Sequence, residues 1–126
     1  VIGVGAGVVD RCREQGLRVD GVTASSAPRG DWRQLTGTTK FRNRRAELYW
    51  VVRELIARKE LAIPREHEDV WHELSSTRFS YDSQERVQIE AKEDLKQRVG
   101  RSPDHADALA LAMSRGSFVM PRIWAF

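Results

Sequence analysis

The chain has 126 residues, enough for one domain that buries roughly two-thirds of its unfolded surface, and its 40% hydrophobic content with four Trp excludes a disordered class. Lys and Arg number 21 against 18 Asp and Glu, a formal charge of +3, which admits a polyanionic partner without requiring one. The single cysteine, Cys12, excludes an internal disulfide and a cysteine zinc cluster and suits a reducing, intracellular setting; no apolar run approaches the roughly 20 residues of a membrane span, and no basic-then-apolar signal pattern opens the chain.

Residues 1–4 read as the end of a strand, with Gly3, Gly5 and Gly7 as a turn into a helix through Val8, Val9 and Cys12 that stops at Gly16. A strand present only by its last residues implies that part of its domain lies upstream of Val1. Left unpaired, residues 1–4 would form an exposed edge, which predicts marginal stability or self-association. The glycines invite phosphate binding at a helix N-terminus, but their spacing departs from G-x-G-x-x-G, and a tight strand-to-helix turn accounts for them without a ligand.

Residues 17–23 read as a second short strand, giving a β-α-β order and a parallel pair, and residues 24–39 as a loop around Trp32. Asn43 caps a helix running to about Arg58, with Leu48, Val51, Val52 and Leu55 as its buried stripe. Lys40, Arg42, Arg44 and Arg45 fall in the loop and first turn ahead of it; such a cluster either contacts phosphates or is a solvated basic turn. Residues 61–64 look extended and lead to a helix through Val70, Trp71 and Leu74. His67 and His72, five apart, lack the i,i+4 spacing of a helical zinc pair and read as surface or partly buried histidines. Phe79-Ser80-Tyr81 and Val87-Gln88-Ile89 alternate around a polar turn, a hairpin pattern. A charged helix from Lys92 to Val99 ends at Gly100.

The stretch Ser102-Pro103-Asp104-His105-Ala106-Asp107-Ala108-Leu109-Ala110-Leu111-Ala112 carries the most chemistry. Pro103 suits a helix start, and the apolar run after Asp107 predicts a helix buried nearly all round. Asp104 and Asp107 lie one turn apart on one face, where two carboxylates need a neutralising partner; a hard divalent ion, Mg²⁺ or Mn²⁺, is the natural one. Capping and the helix dipole also favour Asp in a first turn, with no metal.

The order of four segments resembles the C-terminal part of the nuclease domain of phage terminase large subunits: Gly3 to Asp10, Phe41-Arg42-Asn43-Arg44-Arg45-Ala46-Glu47, the hairpin into Ile89-Glu90-Ala91-Lys92, and Gly100 to Ala110. The resemblance implies a partial RNase H-like fold, an α/β mixed sheet flanked by helices with the first strands missing. It implies a viral DNA-packaging protein whose nuclease cuts concatemeric double-stranded DNA by two-metal hydrolysis. Asp107 resembles the metal-binding acid at the start of the final helix of RNase H enzymes, and Asp104-x-x-Asp107 the ending of related Holliday-junction resolvases. Asp107 would then be a direct metal ligand, and Asp104 a ligand or the holder of a water beside the ion. His105 would contact the scissile phosphate or face solvent, and Lys40, Arg42, Arg44 and Arg45 would grip the DNA backbone. The portal protein and the small terminase subunit are the further implied partners, the host cytoplasm the implied location.

The chain departs from that pattern in two respects. No acid precedes Val1, and no G-x-x-x-x-G-K-[ST] loop of an ATPase occurs. The resulting expectation is a nuclease fragment with a partial site, inactive alone; the alternative is a non-catalytic DNA- or partner-binding remnant of the same fold.

Overall fold

The computed structural model describes residues 4–115. Six helices and one hairpin follow in the order α1 (Val4–Glu14), α2 (Arg33–Thr36), α3 (Arg44–Ala57), α4 (Glu68–Ser76), β1 (Phe79–Tyr81), β2 (Val87–Ile89), α5 (Lys92–Val99) and α6 (Asp104–Ala112), closed by a 3-10 turn at Met113–Arg115. No helix among the described residues is long and apolar enough to cross a membrane.

Asn43 caps α3 as its sequence suggests: its side chain accepts from the Ala46 amide at 3.0 Å. The amides of Arg44 and Arg45 donate to the Ser26 and Ala24 carbonyls, so the loop before α3 satisfies the rest of that first turn. Along α3, Leu48, Tyr49, Val51 and Val52 pack against Ala106, Ala110 and Met113, while Ala46 and Trp50 pack on Phe41 and Val87. Each large aliphatic side chain buried in this way stabilises by about 1.5–3 kcal/mol.

The hairpin forms where the alternation places it, antiparallel with Phe79 opposite Ile89 and Tyr81 opposite Val87. Phe41 bridges Val87 in parallel on the other side, through Arg42 N to Val87 O at 2.9 Å and Val87 N to Lys40 O at 2.8 Å. Antiparallel and parallel pairings thus meet on β2, the kernel of a mixed sheet. Gly100 closes α5 in the left-handed conformation, φ 87°.

Three expectations are corrected. Residues 1–3 lie outside the described part, but Val4, Gly5 and Gly7 belong to α1 rather than to a strand and turn. An α-helix satisfies its amides within itself, whereas a strand there would need a neighbour; an edge strand reaching Val4 therefore falls away as a source of self-association. Residues 17–23 form no regular strand: among the described residues no ladder accompanies them, and Leu17 stands 55% exposed. α6 is not buried all round. Ala106, Ala110 and Met113, spaced i, i+4, i+7, face α3, while Ala108 and Ala112 are exposed and Leu111 is 45% exposed.

Candidate metal and nucleic-acid site

α3, the hairpin, the start of α5 and α6 enclose an open groove of about 1130 Å³. Leu48, Ala110 and Leu111 form part of its apolar lining; Arg42, Arg45, Arg78 and Lys92 contribute cations, and Glu90, Glu93, Asp94 and Asp107 carboxylates.

The spacing of Asp104 and Asp107 brings both to one cation, the Lys92 ammonium. Its Nζ lies 2.8 Å from Asp104 Oδ1 and 3.3 Å from Asp107 Oδ2. Lys92 reaches them because α5 starts directly after the hairpin. The Lys92 bond, helped by a 2.8 Å bond from Ser102 Oγ, holds the Asp104 carboxyl below its usual range; in return Asp104 raises the Lys92 ammonium. Asp107 has further partners from α3: Tyr49 donates its hydroxyl to Oδ1 at 2.6 Å, and Arg45 Nη2 stands 3.4 Å from the same oxygen. Burial, and then the Asp107 bond, push the Tyr49 phenol far above its ordinary value. Arg45 also lies 4.8 Å over the Tyr49 ring and donates to the Glu90 carbonyl at 2.8 Å. The N-cap residue of α6, Pro103, makes no side-chain cap bond, and the bonds of Asp104 and Asp107 run to Lys92, Ser102, Tyr49 and Arg45 rather than to first-turn amides, so neither Asp serves as a cap.

The donor set is oxygen-rich, as a hard divalent ion requires, but two acids do not complete a shell. Among the described residues no group of three or more His, Cys, Asp or Glu is arranged to hold a metal. Asp104 and Asp107 would supply at most two of the ligands such a site needs.

Of the basic cluster, Lys40 and Arg42 are exposed, Arg42 on the groove wall with Nη1 3.3 Å from Gln88 Oε1. Arg44 differs from the other three: its side chain is 1% exposed and engaged by Glu47 at 2.7 Å, Asp31 at 2.8 Å and the Ser114 carbonyl at 2.8 Å, so it does not line the groove surface. Its position in the first turn of α3 turns it toward the core. His105 points its Nδ1 at Glu73 Oε1, 3.0 Å away, with its side chain 57% exposed. His67, at the N-cap of α4, and His72, within it, are exposed.

Sequence reading assigned no role to Tyr49, Lys92 or Glu73. Tyr49 stands four residues after Arg45, on the same helical face, a signal that was available. Lys92 and Glu73 meet the site through contacts from other helices, which no local pattern announces.

The Glu73 carboxylate raises the His105 imidazole. The resulting stability is complete below the unfolded value near pH 6.5 and is lost as pH rises through the higher folded one. Glu73 itself, despite burial that alone would raise it, is held low by His105, the Ala106 amide and Arg101. Its contribution is lost on the acid side, as pH falls through its depressed value. Melting temperature should therefore fall as pH rises above the ordinary histidine value near 6.5 in the wild type, and fall less in His105→Gln; equal slopes in the two proteins would remove His105 as the cause.

No protein-family model and no curated protein sequence matches the chain. Solved structures do match it. The nuclease domain of the large terminase subunit of bacterial virus Sf6 has a TM-score of 0.61 and 24% identity, covering 88% of this chain and 61% of that one. A point mutant of that domain with manganese gives a TM-score of 0.60 and 23% identity over 88% of this chain and 62% of that one. A mutant structure with calcium gives 0.61 and 23%, over 88% and 61%. The chain thus spans about three-fifths of the length of the structures it matches. What this likeness establishes is architecture: the chain has, in part, the RNase H-like fold of a phage large-terminase nuclease domain.

Proposed function

We propose that this chain is part of a terminase-type DNA nuclease, in which Asp107 and Asp104 hold one side of a Mg²⁺ or Mn²⁺ site and the adjacent groove receives the phosphodiester backbone of double-stranded DNA. The observation that carries this reading is the convergence of the two carboxylates on a single cation at the rim of an open groove. A divalent ion bound there supplies phosphate-charge neutralisation and water activation. The protein's own contribution is positional. Tyr49 and Arg45 fix the Asp107 carboxylate, and Lys92 keeps the acid pair neutralised.

The groove lining carries four cations against four carboxylates, so it is not a basic channel. A polyanion enters such a groove more readily once its acids are neutralised, which ties DNA binding to the divalent ion. Lys40 and Arg42 offer sequence-independent phosphate contacts. With two acids at the site, the chain alone is expected to cut DNA little or not at all. A non-catalytic DNA-binding remnant is the second reading, favoured by Lys92 standing where a cation would sit.

Calorimetry with Mn²⁺ on the wild type and on Asp107→Asn tests the metal corner, and DNA anisotropy with and without Mn²⁺ tests the groove. Binding in the wild type that weakens at least about tenfold in Asp107→Asn, with tighter DNA binding when Mn²⁺ is present, is the expected result. No Mn²⁺ binding in either protein, with DNA binding intact, would leave the remnant. Metal-dependent plasmid cutting abolished in Asp107→Asn would overturn the inactivity.

A further inference from the structure

Glu73 is a buried acid that the proposed site does not use. Its side chain is 2% exposed and reaches from α4 to the first turn of α6. α6 begins after Pro103, which has no side-chain acceptor, and no side chain at that position caps the helix. The Ala106 amide, in the first turn, has no partner within the helix, and Ala106 is 0% exposed, so water does not supply one. Glu73 Oε2 accepts it at 2.7 Å. The other oxygen, Oε1, is held by Arg101 Nη2 at 2.8 Å and His105 Nδ1 at 3.0 Å, and Arg101 is itself held by Asp69 at 2.9 Å.

We propose that Glu73 is a positioning residue for the acid pair: by binding the Ala106 amide from a clamped carboxylate, it sets the rotation and height of α6 and so the aim of Asp104 and Asp107. This rests on the reading of those two acids as metal-binding. Ala106 is the residue immediately before Asp107, and each residue turns an α-helix by roughly 100°. A slip of α6 would carry the Asp107 carboxylate away from Tyr49 and Lys92. Sites that bind metal tolerate little such error, and removal of a supporting contact typically weakens metal affinity roughly ten- to a hundredfold.

The test compares wild type, Glu73→Ala and Glu73→Gln, whose amide oxygen still accepts from Ala106. In metal-free protein, NMR reads Ala106 amide exchange against that of Val51 in α3, and the Asp107 carboxyl carbon shift; calorimetry then reads Mn²⁺ affinity. In Glu73→Ala the expected results are exchange at Ala106 accelerated at least about tenfold more than at Val51, a displaced Asp107 shift, and Mn²⁺ affinity lower by roughly ten- to a hundredfold. Glu73→Gln should restore most of all three. Exchange that rises equally at both amides, or an Asp107 shift unmoved in Glu73→Ala, overturns the proposal. Should Glu73→Ala fail to fold, Glu73→Gln and Arg101→Met decide by the same shift, which must move in Arg101→Met, where the carboxylate loses its clamp. A wild type that takes no Mn²⁺ removes the metal reading, while the metal-free shift still judges Glu73.

Discussion

Glu47→Ala is expected to destabilise the fold by about 3–5 kcal/mol, a large share of the roughly 5–15 kcal/mol that holds a typical domain folded. Glu47 sits on α3 with its side chain 2% exposed and accepts from the Arg44 guanidinium at 2.7 Å. It also accepts the amides of Arg29 at 2.9 Å and Gly30 at 2.7 Å, which ties the preceding loop to the helix. Truncation leaves a buried guanidinium without its main partner and two backbone donors unsatisfied. Asp31, 33% exposed, retains Arg44 from one side, but no side chain replaces the Glu47 contacts to the loop. Thermal or urea unfolding of the variant measures the loss. The double variant Arg44→Met/Glu47→Leu separates charge from packing: removing both ions at once should cost less than Glu47→Ala, because no unpaired charge is left inside. A Glu47→Ala loss below about 1 kcal/mol, the range of an exposed pair, would show that the clamp does not operate in solution.

Lys92→Ala is expected to tighten Mn²⁺ binding by about tenfold, equivalent to about 1.4 kcal/mol. In the wild type an incoming divalent ion competes with an ammonium that contacts both carboxylates. Two unit charges about 4 Å apart interact by about 4 kcal/mol near a protein surface. Asp104 and Lys92 are exposed to 69% and 43%, so solvent screens most of that, and a tenfold change is the part expected to remain. Side by side, calorimetric titrations of wild type and Lys92→Ala read this directly. Equal affinities would mean that the ion, if it binds, takes a position that Lys92 does not occupy. The same substitution should not weaken the fold appreciably, since both carboxylates stay in reach of solvent.

The hairpin, α5 and its Gly100 stop, and α3 with its Asn43 cap were readable from sequence, because each depends on local chemistry: alternation, a left-handed glycine, a side-chain cap. The pair Asp104 and Asp107 was readable for the same reason, since one helical turn places both on one face. The misplaced elements share a different cause. A strand at residues 17–23 needs a neighbour to accept its hydrogen bonds, and Gly5 and Gly7 joined a helix that needs none.

By itself, then, the sequence determined the hairpin, α3, α5, the one-turn spacing of Asp104 and Asp107 and the resemblance to a terminase nuclease domain, because periodicity, caps and segment order reside in the chain. Tertiary structure decided which cation meets those acids, and it turned Arg44 from the expected DNA-facing surface into the core. It also decided that the amide before Asp107 is capped from α4 and that one face of α6 stays open. Each of these depends on which helix lies against which, and identical local sequence would allow either outcome until α3, α4 and α6 are packed together.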